Sequence, residues 1–239
     1  MTEAVRLTEG TDVSVIAGTG SNDTAATIAA TRAAAAAGAH AALIVVPYYS
    51  RPTQAGLIAH FTAVAKDGGM GIIVYNIPGR SAVGLTGASM RILANTPNII
   101  ALKDATGAME MASDLTLSTP SFPILSGDDS LTLPFMALGA VGVVSVVSNL
   151  FPAACVALVT AARSGNFARA RAIHEALLPF ARAAFVESNP GPIKSALTSA
   201  GLIKSSAMRL PLVGLTKESE SVLQAGVAAT TKALKILDL

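Results

Sequence analysis

Cysteine is almost absent from this sequence, and its scarcity limits the sites that the chain can form. Cys155 is the only cysteine, so no disulfide can close within the chain and no metal site can be built from several cysteines. A chain without disulfides is consistent with a reducing compartment. We therefore expect a cytoplasmic location.

Charge and long apolar runs are also scarce. Charged residues make up 13% of the chain and the formal net charge is +2. No stripe of Lys and Arg offers contacts to phosphates, so we expect no nucleic-acid partner. The apolar stretches are broken by Gly, Pro or Ser well before the roughly 20 residues of a membrane span. The polar start, MTEAVRLTEGTDV, does not resemble a signal peptide, and we expect no membrane association.

Several motifs of familiar enzyme classes are missing. The chain has neither a G-x-S-x-G elbow nor an H-E-x-x-H motif. Gly18-Thr19-Gly20 lacks the third glycine of a dinucleotide site and the lysine of a phosphate loop. The three histidines, His40, His60 and His174, share no metal-ligand spacing, so we expect them at the surface or in packing roles. We expect no metal and no organic cofactor.

Apolar residues are abundant, at 51% of the chain, which suits a large core. Short runs rich in Val and Ile recur, and their nearly continuous apolar character is typical of strands buried on both faces of a parallel sheet. Their starts lie roughly 20–30 residues apart, the size of a strand–helix unit. The six runs cover residues 13–20, 41–49, 71–78, 98–106, 122–129 and 142–149.

Helix-compatible segments separate these runs, and the chain turns all-helical after Asn149. The predicted helices cover residues 24–38, 54–66, 86–94, 109–118, 131–138, 152–164, 167–185, 192–201 and 218–239. An alternation of this kind predicts an α/β fold. Six strands fit an open Rossmann-like sheet, whereas a closed (β/α)8 barrel needs eight and would leave unpaired edges without two of them.

Lys103 is the first candidate for chemistry because it ends the apolar run NIIALK. Ligands bind at the carboxyl ends of parallel strands in both barrels and open sheets. Burial disfavours the ammonium form, and a neutral amine can attack a carbonyl to form a Schiff base. Position alone also allows a snorkelling or ion-paired lysine.

Tyr75 ends the preceding run, 28 residues before Lys103. If the two strands are neighbours, about 4.8 Å apart, the tyrosine can shuttle a proton to and from the lysine's adduct; otherwise it caps a core. Arg80 follows in the next loop, and its planar fork suits a carboxylate, although a solvated loop arginine fits as well. Tyr48 and Tyr49 end another run and can line a pocket or an interface.

Five segments occur together and in order: GTGSN at 18–22, PYYSRPTQAG at 47–56, YNIPGRS at 75–81, KDATG at 103–107 and LSGDD at 125–129. Together they resemble the dihydrodipicolinate synthase / N-acetylneuraminate lyase superfamily of class I aldolase-like enzymes. The resemblance extends to NPGPIKSAL and MRLPL near the C-terminus and covers nearly the whole chain. Its details are closest to the synthase branch, which joins pyruvate and aspartate semialdehyde into 4-hydroxy-tetrahydrodipicolinate in lysine and diaminopimelate biosynthesis.

The resemblance implies a role for each candidate residue. Lys103 is implied to form the pyruvate Schiff base, Tyr75 to relay a proton and Arg80 to hold the semialdehyde's carboxylate. Tyr49 is implied to reach across a dimer interface to the neighbouring relay, so a homo-oligomer is expected. Gly127 and Val144 are implied to bind substrate.

The resemblance also implies a segment that these 239 residues lack. Family members carry two strands before the GTG strand, the second ending in a GTTGE-like loop whose threonine completes the proton relay. No such motif is present. We therefore expect an N-terminally truncated member of the family: an incomplete barrel of TIM type with about six strand–helix units, and impaired activity. Its predicted division is residues 1–150 as partial barrel and 151–239 as the last barrel helix and C-terminal helical region, in one continuous domain.

Three functions remain open at this point. The first is the synthase reaction. The second is a related aldolase acting on a 2-keto-3-deoxy acid with the same Lys103 and Tyr75; Arg80 argues against it, because sugar-acid aldolases of the superfamily usually lack an arginine there. The third is a catalytically inactive relative with a structural or binding role.

Overall fold

The computed structural model describes all 239 residues. By its internal contacts the chain forms two compact units. The first comprises Met1–Gly127 and Leu138–Ala140, and the second comprises Asp128–Ala137 and Val141–Leu239. The division into residues 1–150 and 151–239 within one continuous domain stays a prediction.

The first unit alternates strands and helices along its whole length, as the sequence predicts. Its strands are β1 Ile16–Gly18, β2 Ala41–Val45, β3 Ile72–Asn76, β4 Ile99–Asp104 and β5 Ile124–Ser126. Its helices are α1 Thr2–Thr8, α2 Thr24–Ala36, α3 Gln54–Asp67, α4 Pro78–Ser81, α5 Gly87–Ala94 and α6 Met109–Ser118.

The order of the strands excludes the doubly wound alternative. Each strand pairs in parallel with the next one along the chain, from β1 through β5. A doubly wound sheet reverses its strand order part-way, whereas a TIM barrel keeps the order of the chain. β1 is the edge of this sheet, and Ile16 on it is exposed.

Three helices of the first unit begin at a capping side chain. Asp23 accepts from the backbone N–H of Ala26 at the start of α2. Thr53 and Thr86 do the same at the starts of α3 and α5. A side-chain oxygen at this position satisfies a backbone N–H that has no partner within the helix.

The second unit is mainly helical. It comprises α7 Thr132–Ala137, β6 Gly142–Val143, α8 Pro152–Arg163, α9 Phe167–Ala183, α10 Gly191–Ser199 and α11 Lys217–Ile236. Its core is apolar and includes Ile173, Phe180 and Leu223. None of the chain's helices combines the length and the apolar character needed to cross a bilayer.

The last predicted strand is the most shortened of the six. The run 142–149 forms a strand only at Gly142–Val143 and continues into a short 3-10 helix at Val147–Asn149. The carboxylate of Asp129 accepts from the backbone N–H groups of Val146 and Val147, at 2.8 and 3.2 Å. Those N–H groups are therefore withdrawn from strand pairing, which an apolar pattern cannot reveal.

Two neighbouring glycines test the packing between β1 and β2. A Cβ added at Gly20 would lie 2.6 Å from the backbone nitrogen of Val45, whereas one added at Gly18 would meet nothing within 4 Å. Overpacking against backbone costs about 1–3 kcal/mol. We expect Gly20→Ala to lower the free energy of unfolding by that amount and Gly18→Ala to leave it nearly unchanged, measured by urea denaturation. Equal stability of the two variants would contradict this packing.

Candidate active site

Tyr75 and Lys103 face each other across the β3–β4 pair. The ladder aligns Tyr75 with Lys103 and Asn76 with Asp104, so the two strands are neighbours. Val45 on β2 aligns with Tyr75, and Leu125 on β5 aligns with Lys103. All these residues lie at the carboxyl ends of their strands, where parallel sheets bind ligands.

The alignment depends on an irregularity near the start of the ladder. Ile72 aligns with Ile99 but Ile73 aligns with Ala101, so the register shifts by one residue at Ile100. Without the shift, the same pairing would put Leu102 opposite Tyr75. Side chains alternate between the two faces of a strand, so this single residue decides which β4 side chain meets Tyr75.

The lysine amine is held close to the tyrosine ring. Lys103 Nζ lies 3.8 Å from the centroid of the Tyr75 ring, and only 9% of Lys103 is exposed. The side chain is therefore buried and does not extend to water as a snorkelling lysine does. A buried amine beside an aromatic hydroxyl group is an arrangement that can form and protonate carbonyl adducts.

Burial and charge act in opposite directions on Tyr75. Its half-buried position raises the pKa of the phenol, and the positive charge of Arg80 lowers it by a smaller amount. The net pKa is higher than usual, so the hydroxyl group keeps its proton at neutral pH. Arg80 lies on α4, in the loop directly after β3, and is exposed.

A buried polar residue comes directly after Tyr75 and after Lys103 in the sequence: Asn76 and Asp104. Asp104 is fully buried; its Oδ1 accepts from the backbone N–H and the hydroxyl of Thr106 at 2.8 and 2.7 Å. Its Oδ2 has no hydrogen-bond partner. Burial raises the pKa of this carboxyl group, and the bonds from Thr106 oppose the shift.

Gly127 closes the same edge of the sheet after β5. Its N–H donates to the carbonyl of Asp104 at 2.6 Å. A Cβ at this position would lie 2.7 Å from the Cβ of Ala105 and 3.0 Å from the Asp104 carbonyl oxygen. Only glycine fits this close approach of two chain segments, so the position is more constrained than a simple turn.

Tyr49 and Val144 are the two remaining predicted site residues. Tyr49 is 89% exposed and has a positive φ of 70°, which is uncommon for a residue other than glycine. Val144 belongs to the second unit, directly after β6, and is half-buried. The next residue, Ser145, donates its hydroxyl to Asp129.

The histidines take no part in the pair. His60 is buried, and its Nδ1 lies 2.9 Å from the hydroxyl of Thr24. His40 accepts from the N–H of Val15 at 2.9 Å. His174 is half-buried in the second unit. No group of three or more His, Cys, Asp or Glu side chains is arranged to hold a metal ion.

Comparisons with known proteins identify the family. A model of the dihydrodipicolinate synthetase family matches residues 1–230. The chain belongs to this family. The 4-hydroxy-tetrahydrodipicolinate synthase of Methanothrix thermoacetophila is 46% identical over 215 residues, which cover 89% of this chain and 72% of that protein.

Solved structures of the family share the fold. The 4-hydroxy-tetrahydrodipicolinate synthase of Methylacidiphilum fumariolicum SolV superposes with a TM-score of 0.96 at 40% identity, covering 99% of this chain and 79% of that one. The chloride-inhibited dihydrodipicolinate synthase of Acinetobacter baumannii, complexed with pyruvate, superposes with a TM-score of 0.93 at 36% identity, covering 96% and 79%. The predicted fold class, α/β of TIM-barrel type with six strands, is confirmed.

Sequence reasoning missed two polar residues of this dihydrodipicolinate synthetase family member that lie near the candidate site. Asn76 is fully buried beside Tyr75 and pairs with both backbone groups of Leu85. Gln54, at the start of α3, contacts the same loop. A polar residue inside an apolar strand was the available signal for Asn76; nothing in the sequence indicates the contacts of Gln54.

Asp104 gives a prediction about pH. A raised folded-state pKa means that the stability from the protonated carboxyl group is present below the unfolded pKa of about 3.9 and is lost as pH rises through the folded pKa. Asp104→Asn keeps the acceptor for Thr106 and does not titrate. We expect its free energy of unfolding, relative to the original chain, to increase from pH 4 to pH 7.5 in urea titrations.

Two further variants control that experiment. Asp114→Asn changes an exposed carboxyl group on α6 and should reproduce the original pH dependence. Asp104→Ala loses both bonds to Thr106 and does not titrate, so it should be about 1–3 kcal/mol less stable than Asp104→Asn at every pH. A constant difference between Asp104→Asn and the original chain would contradict the raised pKa.

Proposed function

We propose that this chain condenses pyruvate with aspartate semialdehyde as a 4-hydroxy-tetrahydrodipicolinate synthase, a lyase of the class I aldolase type. The observation that carries the proposal is the buried Lys103 amine, 3.8 Å from the Tyr75 ring centroid at the carboxyl ends of paired strands. Family membership supports it, as does the Acinetobacter baumannii relative that was crystallised with pyruvate.

Lys103 supplies the nucleophile. Its neutral amine adds to the C2 carbonyl of pyruvate, and the resulting carbinolamine loses water to become an imine. The imine withdraws electrons from the methyl group of pyruvate, so a methyl proton can leave and the carbon can attack the aldehyde of the second substrate. The lysine itself activates the substrate, and the steps at this residue require no separate cofactor.

Tyr75 relays protons during formation and dehydration of the carbinolamine. Its raised pKa keeps the hydroxyl protonated at neutral pH, so it can donate to the leaving oxygen. The contact between its ring and Lys103 Nζ supports the assignment. The threonine that the family resemblance adds to this relay is not among these 239 residues.

Arg80 holds the carboxylate of the semialdehyde. It lies in the loop after β3, is exposed, and is near enough to affect the pKa of Tyr75. A guanidinium group binds a carboxylate with two parallel hydrogen bonds. This residue supports the synthase reaction over cleavage of a 2-keto-3-deoxy acid. Gly127 and Val144 complete the proposed substrate-binding residues.

Tyr49 joins the site of a second copy of the chain, so the active form is a homo-oligomer. Its exposure and its positive φ support this role, because strained backbone is often retained where a side chain serves a function. The proposed location is the cytoplasm.

Borohydride trapping tests the proposal. We expect incubation with pyruvate followed by reduction to add one pyruvate-derived mass, located by peptide mapping on Lys103. Lys103→Ala should abolish the adduct, whereas Lys66→Ala, at an exposed lysine of α3, should retain it. An adduct would establish that these 239 residues assemble the Schiff-base site. A folded protein without an adduct would refute the proposed chemistry for this chain.

Tyr75→Phe tests the proton relay separately. The variant keeps the ring against Lys103 but lacks the hydroxyl, so we expect kcat to fall by about 10²- to 10⁴-fold. Circular dichroism and urea denaturation should match the original chain. Turnover of aspartate semialdehyde is the readout, and an unchanged kcat would remove Tyr75 from the relay.

A further inference from the structure

The loop that carries Arg80 is closed by its own hydrogen bonds. Residues 77–86 connect β3 to α5 and include α4. Ser81 donates its hydroxyl to the carbonyl groups of Ile77 and Val83, at 2.9 and 2.6 Å. Ala82 ends α4 in the left-handed conformation, with φ of 59°. These contacts define the shape of the loop without attaching it to the rest of the fold.

Asn76 attaches the far end of this loop to β3. Its Nδ2 donates to the carbonyl of Leu85 and its Oδ1 accepts from the N–H of Leu85, both at 3.1 Å. The side chain is fully buried, so both halves of its amide are used within the protein. A Cβ at Gly84 would lie 3.2 Å from this Oδ1, so the loop approaches the amide closely.

Gln54 attaches the residues on either side of Leu85. Its Nε2 donates to the carbonyl of Gly84 at 2.8 Å, and its Oε1 accepts from the N–H of Thr86 at 3.0 Å. The same oxygen accepts the hydroxyl of Ser89 at 2.6 Å. Three consecutive residues, 84–86, are thus held by two amide side chains from two different elements.

The position of these attachments connects the loop to the candidate site. Asn76 directly follows Tyr75, and its carbonyl accepts from the N–H of Ala105 at 2.9 Å. The loop end is therefore fixed to the same two strands that present Tyr75 and Lys103. Arg80 lies in the loop between the end of β3 and the attached residues 84–86. Because this loop is held at both ends, the distance between Arg80 and Lys103 is constrained.

We infer that Gln54 and Asn76 are positioning residues that hold Arg80 where it can bind the carboxylate of the second substrate, and that they thereby set specificity for an aldehyde carrying a carboxylate. This inference rests on the proposed function. It does not concern Schiff-base formation, which involves Lys103, Tyr75 and pyruvate but not Arg80. Loss of either amide should therefore weaken the binding of aspartate semialdehyde and leave the binding of pyruvate unchanged.

Gln54→Met tests the inference because it keeps the length of the side chain and removes all three hydrogen bonds. We expect the KM for aspartate semialdehyde to rise about tenfold, the effect of one or two lost hydrogen bonds. The KM for pyruvate and the yield of the borohydride adduct should stay within about twofold. Gln224→Met, at the exposed glutamine of α11, is the matched control and should change neither.

Conservative variants separate positioning from general loss of structure. Gln54→Glu keeps the acceptor for Thr86 and Ser89 but turns a carboxylate oxygen toward the Gly84 carbonyl, so its KM for the semialdehyde should also rise. Combining Gln54→Met with Arg80→Ala should add little to Arg80→Ala alone, because the glutamine acts through the arginine. Asn76→Asp, which turns an acceptor toward the Leu85 carbonyl, should raise the same KM.

Three results would overturn the inference: an unchanged KM for the semialdehyde in Gln54→Met, an equal rise for pyruvate, or fully multiplicative effects with Arg80→Ala. A chain that forms no pyruvate adduct would refute the proposed function. In that case, amide hydrogen exchange over residues 77–86 tests the loop attachment without any turnover. Faster exchange in Gln54→Met than in Gln224→Met supports the attachment, and equal exchange overturns it.

Discussion

The ladder between β3 and β4 is the constraint on which the candidate site depends. A one-residue change of register turns the side chains of a strand to the opposite face. Here the shift at Ile100 places Lys103 opposite Tyr75. Both strands are buried along the residues that precede Tyr75 and Lys103, since Ile72, Val74 and Leu102 are fully buried. The pairing and burial of these two strands therefore place the side chains of Tyr75 and Lys103 together.

The polar residues that follow Tyr75 and Lys103 continue the hydrogen bonding between strands into the loops. Asn76 and Asp104 accept through their carbonyl oxygens from Ala105 and Gly127, respectively. Their side chains remain buried, and Asp104 retains a carboxylate oxygen without a partner. Groups of this kind reduce stability, and they lie where a parallel sheet presents its ligand-binding edge. The candidate site therefore retains buried polar groups that reduce the stability of the fold.

Loops in both units are held by side chains that belong to regular structure or its ends. In the first unit Gln54 and Asn76 bind the backbone after Arg80. In the second, Asp129 binds the backbone N–H groups after Val144. A loop fixed in this way can present a functional group from a rigid scaffold. The partners of these side chains lie 9 to 32 residues away in the sequence.

The sequence by itself determined the alternation of strands and helices, the starts of α2 and α6, the family, and the candidate residues Lys103, Tyr75 and Arg80. These depend on local patterns: apolar runs, helix-compatible segments between them and short motifs. Tertiary structure alone decided the shift at Ile100, the early end of β6 and the contacts of Gln54. Each of these depends on a hydrogen bond or a close approach between distant residues, and spacing along the chain carries no record of such partners.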